Sequence, residues 1–177
     1  NVPLKSYQFI TFSYMDKKRN TSSHYIAYKV DPFSVYIADI QESKIKVILN
    51  KHTDHISELR NLRIKDSQYF VTCSYDGNAI FWNLPNFIPH FELKFQTWVN
   101  SICIGSYIND DLIFCACGFS RSSFIGIFNT SGKHEFNINF NEDFSPILIE
   151  TYNRNRINYL FVGTDASNPK IIVIDYY

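Results

Sequence analysis

Tyr69-Phe70-Val71-Thr72-Cys73-Ser74-Tyr75-Asp76-Gly77-Asn78-Ala79-Ile80-Phe81-Trp82-Asn83 is the stretch on which the fold turns. Its two halves, rich in apolar, β-branched and aromatic residues, read as strands over 69–75 and 78–84. Asp76-Gly77 between them is the dipeptide of a tight hairpin turn. The same texture extends in both directions. Short apolar runs at 7–14, 25–30, 34–40 and 44–49 alternate with polar or turn-forming clusters at 17–23, 31–32 and 41–43. No long stretch carries the apolar spacing of a capped amphipathic helix. Composition agrees: Phe, Tyr and Trp make up 17% of the chain, residues that fit pleated strands, whereas helix-favouring Ala occurs only at positions 27, 38, 79, 116 and 166. The 177 residues suffice for one compact domain. The reading is all-β, and many short strands at even spacing mean a sandwich, a barrel or a propeller.

An internal repeat chooses among these. Four runs end on an apolar residue followed by Asp or Asn: 35–39, 79–83, 125–129 and 171–175. The closing positions, Asp39, Asn83, Asn129 and Asp175, are 44, 46 and 46 residues apart. A four-stranded propeller blade takes about 40–45 residues. The strands then fall at 7–14, 24–30, 34–40 and 44–50; at 55–64, 69–75, 78–84 and 90–96; at 98–108, 112–118, 123–129 and 133–140; and at 145–151, 158–164 and 170–176. One region, 1–177, thus holds blades at about 7–50, 55–96, 98–140 and 145–176.

The second unit opens on His52-Thr53-Asp54-His55-Ile56 and continues into the quoted stretch. It resembles the WD40-repeat family. His52 stands where the family's Gly-His places its histidine, with Lys51 in place of the Gly. Thr72 fits the strand Ser/Thr, Asp76 the turn Asp, and Trp82-Asn83 the Trp-Asp pair. The other three units keep the period and the closing Asp/Asn but lack the Trp. The resemblance implies that Trp82, Thr72, His52 and Asp76 form one hydrogen-bonded chain that fastens the loop before a blade to its hairpin turn, a structural rather than catalytic role. It also implies that His55, Tyr75, Trp98 and Phe144 line one rim of the blades, with Ser57 and Asn100 beside them; the alternative for Trp98 and Phe144 is a place in the core between blades. Aromatic anchors of that kind carry much of the energy of protein interfaces.

Other chemistry finds little footing. His52 with Asp76 could be read as a catalytic pair, and His52 with His55 as metal ligands, but the structural chain also accounts for Thr72 and Trp82. No third ligand stands at a defined offset among His24, His90 and His134. Cys115-Ala116-Cys117 lies in strand alternation, both thiols on one face, as in a packed core. No phosphate loop, nucleophile elbow or zinc-protease motif is present. No catalytic residue, metal or cofactor is therefore assigned.

Lys and Arg balance Asp and Glu at 17 each, so the chain exerts no general pull on phosphate backbones or anionic membranes. The charge is polarised: residues 1–65 hold eleven Lys/Arg against six Asp/Glu, and the remainder six against eleven. Four cysteines without a CxxC pair suit a reducing, intracellular compartment. The sequons at Asn20 and Asn129 are read as chance matches. No apolar run approaches the ~20 residues of a membrane span. The basic segment 15–23 reads as a solvent-facing insertion.

A propeller must close, because an open ring leaves bare strand edges and half-buried faces. Residues 1–5 could supply a fourth strand to the last blade. A seven- or eight-bladed ring, of which this chain is an excerpt, is the favoured reading, since the sequence begins with Asn1. The expected function is a non-catalytic WD-repeat scaffold binding proteins or peptides through its top face and loops. The alternatives are a propeller enzyme or small-ligand sensor using the central channel, which needs convergent carboxylates or histidines there, and an RNA-binding propeller using aromatic stacking.

Overall fold

The computed structural model describes residues 9–17, 19–107, 110–119, 122–140, 145–154, 157–165 and 170–176. These residues build fifteen strands: β1 (Phe9–Asp16), β2 (Thr21–Lys29), β3 (Val35–Asp39), β4 (Lys44–Leu49), β5 (Ile56–Ile64), β6 (Ser67–Ser74), β7 (Asn78–Asn83), β8 (Ile88–Lys94), β9 (Val99–Tyr107), β10 (Asp110–Cys117), β11 (Phe124–Asn129), β12 (His134–Asn139), β13 (Pro146–Arg154), β14 (Ile157–Thr164) and β15 (Ile171–Tyr176). Within each sheet, strands consecutive in sequence pair antiparallel, giving three four-stranded sheets and a fourth of three strands. The protein is all-β. No helix among the described residues is long and apolar enough to cross a membrane.

Strand alternation explains the stacking. In the second sheet Phe70, Ile80 and Trp82 face the first sheet, where Phe12, Tyr25 and Ile37 meet them. Val71, Cys73 and Phe81, one residue out of phase, face the third sheet and pack on Ile102, Ile113, Cys115 and Cys117. The third sheet turns Phe114, Ile125 and Ile127 to Ile149, Leu160 and Val162 of the fourth. Strands buried on both faces read as continuous apolar runs rather than as half-polar alternation. Among the described residues the three cores join consecutive sheets only. The far face of the first sheet therefore leaves Phe9 and Ile48 exposed, and that of the fourth leaves Tyr152 and Val173 exposed.

A repeat finer than the period appears in the first strands. Their register with the second strands skips one residue in each of the last three sheets: Ser57, Asn100 and Ile147. A bulge of this kind re-aims one side chain and sharpens the local twist. Just beyond it, Glu58 accepts the Ile102 N–H at 2.9 Å and Ser101 accepts the Ile149 N–H at 3.2 Å. Equivalent residues thus tie each first strand to the next.

The segment 15–23 is not the insertion expected from its composition. Asp16 pairs with Thr21, so β1 and β2 run on as one hairpin, and Asp16, Thr21, Ser22 and Ser23 sit on paired strands. The closing turn places Asn20 at φ +52°, which asparagine tolerates better than most residues. Residues 1–5, a possible edge strand, lie outside the described residues.

Candidate functional site

Thr72 on β6 and Trp82 on β7 lie diagonally across one hairpin, on the face toward the first sheet. The indole Nε1–H donates to Thr72 Oγ1 at 3.1 Å, and Thr72 Oγ1 lies 2.7 Å from His52 Nε2. His52 Nδ1 lies 2.9 Å from Asp76 Oδ2. The ends fix the direction of the chain, because an indole can only donate and a carboxylate only accept. Trp82 therefore donates to Thr72 at one end, and His52 donates from Nδ1 to Asp76 at the other. Asp76 also accepts the Thr53 N–H at 3.0 Å and the Asn78 N–H at 2.9 Å. Burial pushes the Asp76 carboxyl up, but these donors outweigh it and hold it below the usual range. Every polar atom of the chain has a partner, and no position is left for a substrate.

The third sheet solves the same place differently. Counting from its hairpin, Phe95 takes the position of His52, Cys115 that of Thr72 and Phe128 that of Trp82. Phe95 meets the Phe128 ring, and Cys115 is wholly buried. An apolar set replaces the polar chain whole, so nothing is orphaned.

Above this layer lies a row of rings at the hairpin end of the sheets. Tyr75 stacks on Trp98, centroids 4.5 Å apart and planes at 17°. His55 meets the Tyr75 ring at 5.4 Å, tilted by 41°. Burial lowers the His55 pKa and Lys29 lowers it further, against the opposing pull of Asp54. Trp98 keeps 38% of its surface exposed. Phe119, 57% exposed, extends the row against Trp98 at 5.1 Å. The sequence reading missed Phe119. It occupies the third sheet's turn-Asp position, and the empty slot in the motif was the signal that could have found it.

Three backbone bonds fix which residues are equivalent. The N–H groups of Tyr75, Gly118 and Asp165 donate to the carbonyls of His55, Trp98 and Ser145. The fourth sheet's counterpart of Trp98 is thus Ser145, and the place assigned to Phe144 was one residue off. Phe144 itself lies outside the described residues. Ser57 and Asn100 also need correction as surface residues. Ser57 is half-buried and donates to the Val99 carbonyl. Asn100 is buried and its Nδ2 donates to Gly118 O at 2.8 Å and Pro146 O at 2.9 Å. Both are clamps between sheets rather than recognition groups.

The first strands also hold charges to which the sequence reading assigned no role. Arg60 donates through Nε to Glu58 Oε1 at 2.8 Å and through Nη1 to Glu150. Two carboxylates 92 residues apart thus converge on one guanidinium. Burial raises the Glu58 pKa despite Arg60 and the Ile102 N–H. Glu58 spends both oxygens on these partners, which makes the cluster a brace across three sheets. Among the described residues no group of three His, Cys, Asp or Glu could hold a metal ion.

No family model and no curated protein matches the chain. Among solved structures, it is similar to the crystal structure of the computationally designed Ika4 protein, with a TM-score of 0.58 at 12% identity, over 85% of this chain and 84% of that one. That likeness concerns the fold alone.

Proposed function

We propose that the four sheets are blades of a WD-repeat β-propeller, and that the chain is a non-catalytic scaffold presenting an aromatic surface to a protein partner. The period, the in-register sheets, the repeated bulge and the hydrogen-bonded chain from Trp82 to Asp76 support the blade reading. The observation that carries the function is the row His55, Tyr75, Trp98 and Phe119. Its rings are pre-stacked, partly exposed and mounted on loops held by backbone bonds. Large rigid rings lose little entropy on binding, so such a row suits the centre of an interface. Four buried thiols fit an intracellular setting.

The test places a photo-crosslinking residue at position 119 and identifies the captured protein by mass spectrometry. Tyr75→Ala with Trp98→Ala should abolish that capture without moving the thermal midpoint by more than a few degrees. Undiminished capture by the double variant would remove the row from the interface.

A further inference from the structure

The polar tips of the aromatic row are unused within the protein. Among the described residues the Trp98 indole N–H, the Tyr75 hydroxyl and the His55 ring nitrogens take part in no hydrogen bond. The charges around them are already engaged. Asp76 is turned inward, and Asp31, Asp54 and Asp165 accept the backbone N–H groups of Phe33, His55 and Ser145. The Lys29 ammonium donates to the Ile56 carbonyl at 2.7 Å. Burial and Lys29 outweigh Asp54 and hold the His55 pKa below its ordinary value, so this ring is uncharged at neutral pH. The row therefore offers apolar ring surface tipped with uncharged groups that can donate. Its packing also limits how a ligand can approach. Tyr75 and Trp98 touch face to face at 4.5 Å, and Phe119 closes on Trp98 at 5.1 Å. No slot opens between these rings, so a ligand must lie along the row. Steps of 5.4, 4.5 and 5.1 Å between ring centroids match at most about five residues of polyproline II, at ~3.1 Å each.

We infer that the row binds a proline-rich segment of another protein in the polyproline II conformation; this names the partner class for the surface proposed above and rests on that reading. Such a helix makes no internal hydrogen bonds, so its carbonyls are free to accept from the Trp98 N–H and the Tyr75 hydroxyl. Proline has no N–H to strand against an apolar surface. Its pyrrolidine rings lie on aromatic faces, and the preformed helix loses little entropy on docking. A helix or a paired strand would spend its carbonyls on its own structure instead. A cationic segment would meet no carboxylate free of a backbone donor. These 177 residues hold no such segment, since no two of their six prolines are adjacent or three apart. The partner is thus another chain.

The chain has two tryptophans, so nuclear magnetic resonance of the isotope-labelled 177-residue protein gives two indole N–H signals. Decaproline is the probe. The Trp98 signal should move saturably as a peptide carbonyl accepts its proton. The Trp82 signal should stay, because that N–H is already donated to Thr72 at 3.1 Å. A glycine–serine peptide of the same length should move neither. Trp98→Phe assigns the signals; it keeps a ring and removes the donor. Fluorescence polarisation with labelled decaproline should show binding to that variant weakened roughly threefold to tenfold. Tyr75→Ala with Trp98→Ala should abolish binding. An unmoved Trp98 signal at millimolar peptide, an equal shift with the glycine–serine peptide, or full-strength binding by the double variant would each overturn the inference. If decaproline fails while position 119 still captures a partner that the double variant loses, the row stays a protein interface and only its proline specificity falls.

Discussion

Phe95 meets Phe128 edge-on, ring centroids 5.4 Å apart and planes at 85°, in the place where His52 and Trp82 share Thr72 one sheet earlier. The two arrangements answer the same demand. Either every buried polar group in the layer has its partner, or none is present. A mixture is the costly state. Thr72→Val should strand both the Trp82 N–H and His52 Nε2, with an expected loss of about 2–4 kcal/mol in urea unfolding. Replacing His52, Thr72 and Trp82 together by Phe, Cys and Phe should cost less than the sum of the three single changes. Additive losses across that cycle would show that the three residues do not act as a unit.

Two buried carboxyls should push stability in opposite directions with pH. Asp76 is held low in the folded state. Its contribution is complete above the ordinary Asp value of about 3.9 and is lost as pH falls through the lower folded value. Glu58 is held high. Between the ordinary Glu value of about 4.3 and its raised folded value, the unfolded chain binds fewer protons than the folded one, so stability falls as pH rises. Asp76→Asn should flatten the acid limb of the stability curve, and Glu58→Gln the limb on its neutral side. Midpoints measured across that range settle it; a pair of variants that flattened the same limb would contradict the assignment.

The period carried most of the fold. Residues 39, 83, 129 and 175 end or nearly end the third strands, and Asp39 and Asn129 cap the following turns with their side chains. Local chemistry sufficed there, because alternation, Asp-Gly and Asx turns act within a few residues. It failed where geometry depends on neighbouring sheets. The skipped residue in each first strand is invisible in sequence, so Ser57 and Asn100 were assigned to the surface although the bulge turns them toward the next sheet. Loop length misled the assignment of Phe144, since only the carbonyl used by Asp165 shows which residue precedes the strand. Glu58 and Glu150 meet through the stacking of first strands, which no spacing within one repeat reports.

The cysteines test how tightly the sheets pack. Cys73, Cys115 and Cys117 lie in the core between the second and third sheets, Cys103 in the next. Burial pushes all four thiols up from their ordinary value, which removes the reactive thiolate. A disulfide reagent should therefore titrate no thiol in the native protein and four after denaturation. Reaction in native buffer at the rate of free cysteine would mean that these sheets separate readily.

Asn100 offers the sharpest distinction between a clamp and a recognition group. Its amide nitrogen reaches Gly118 in the hairpin turn of its own sheet and Pro146 at the start of the next. Asn100→Ala leaves two buried carbonyls without a donor, at about 1–3 kcal/mol each. Asn100→Asp is worse, because a carboxylate cannot donate and sets a negative charge against both oxygens. Asn100→Ser should be mildest, since Ser57 at the equivalent bulge reaches the next sheet's carbonyl with a hydroxyl alone. Urea midpoints should fall in the order Ser, Ala, Asp, and amide exchange in β13 should quicken in step. Partner capture through the aromatic row should persist in any of the three that stays folded. Loss of capture by the folded Asn100→Ser protein would return this residue to the binding surface.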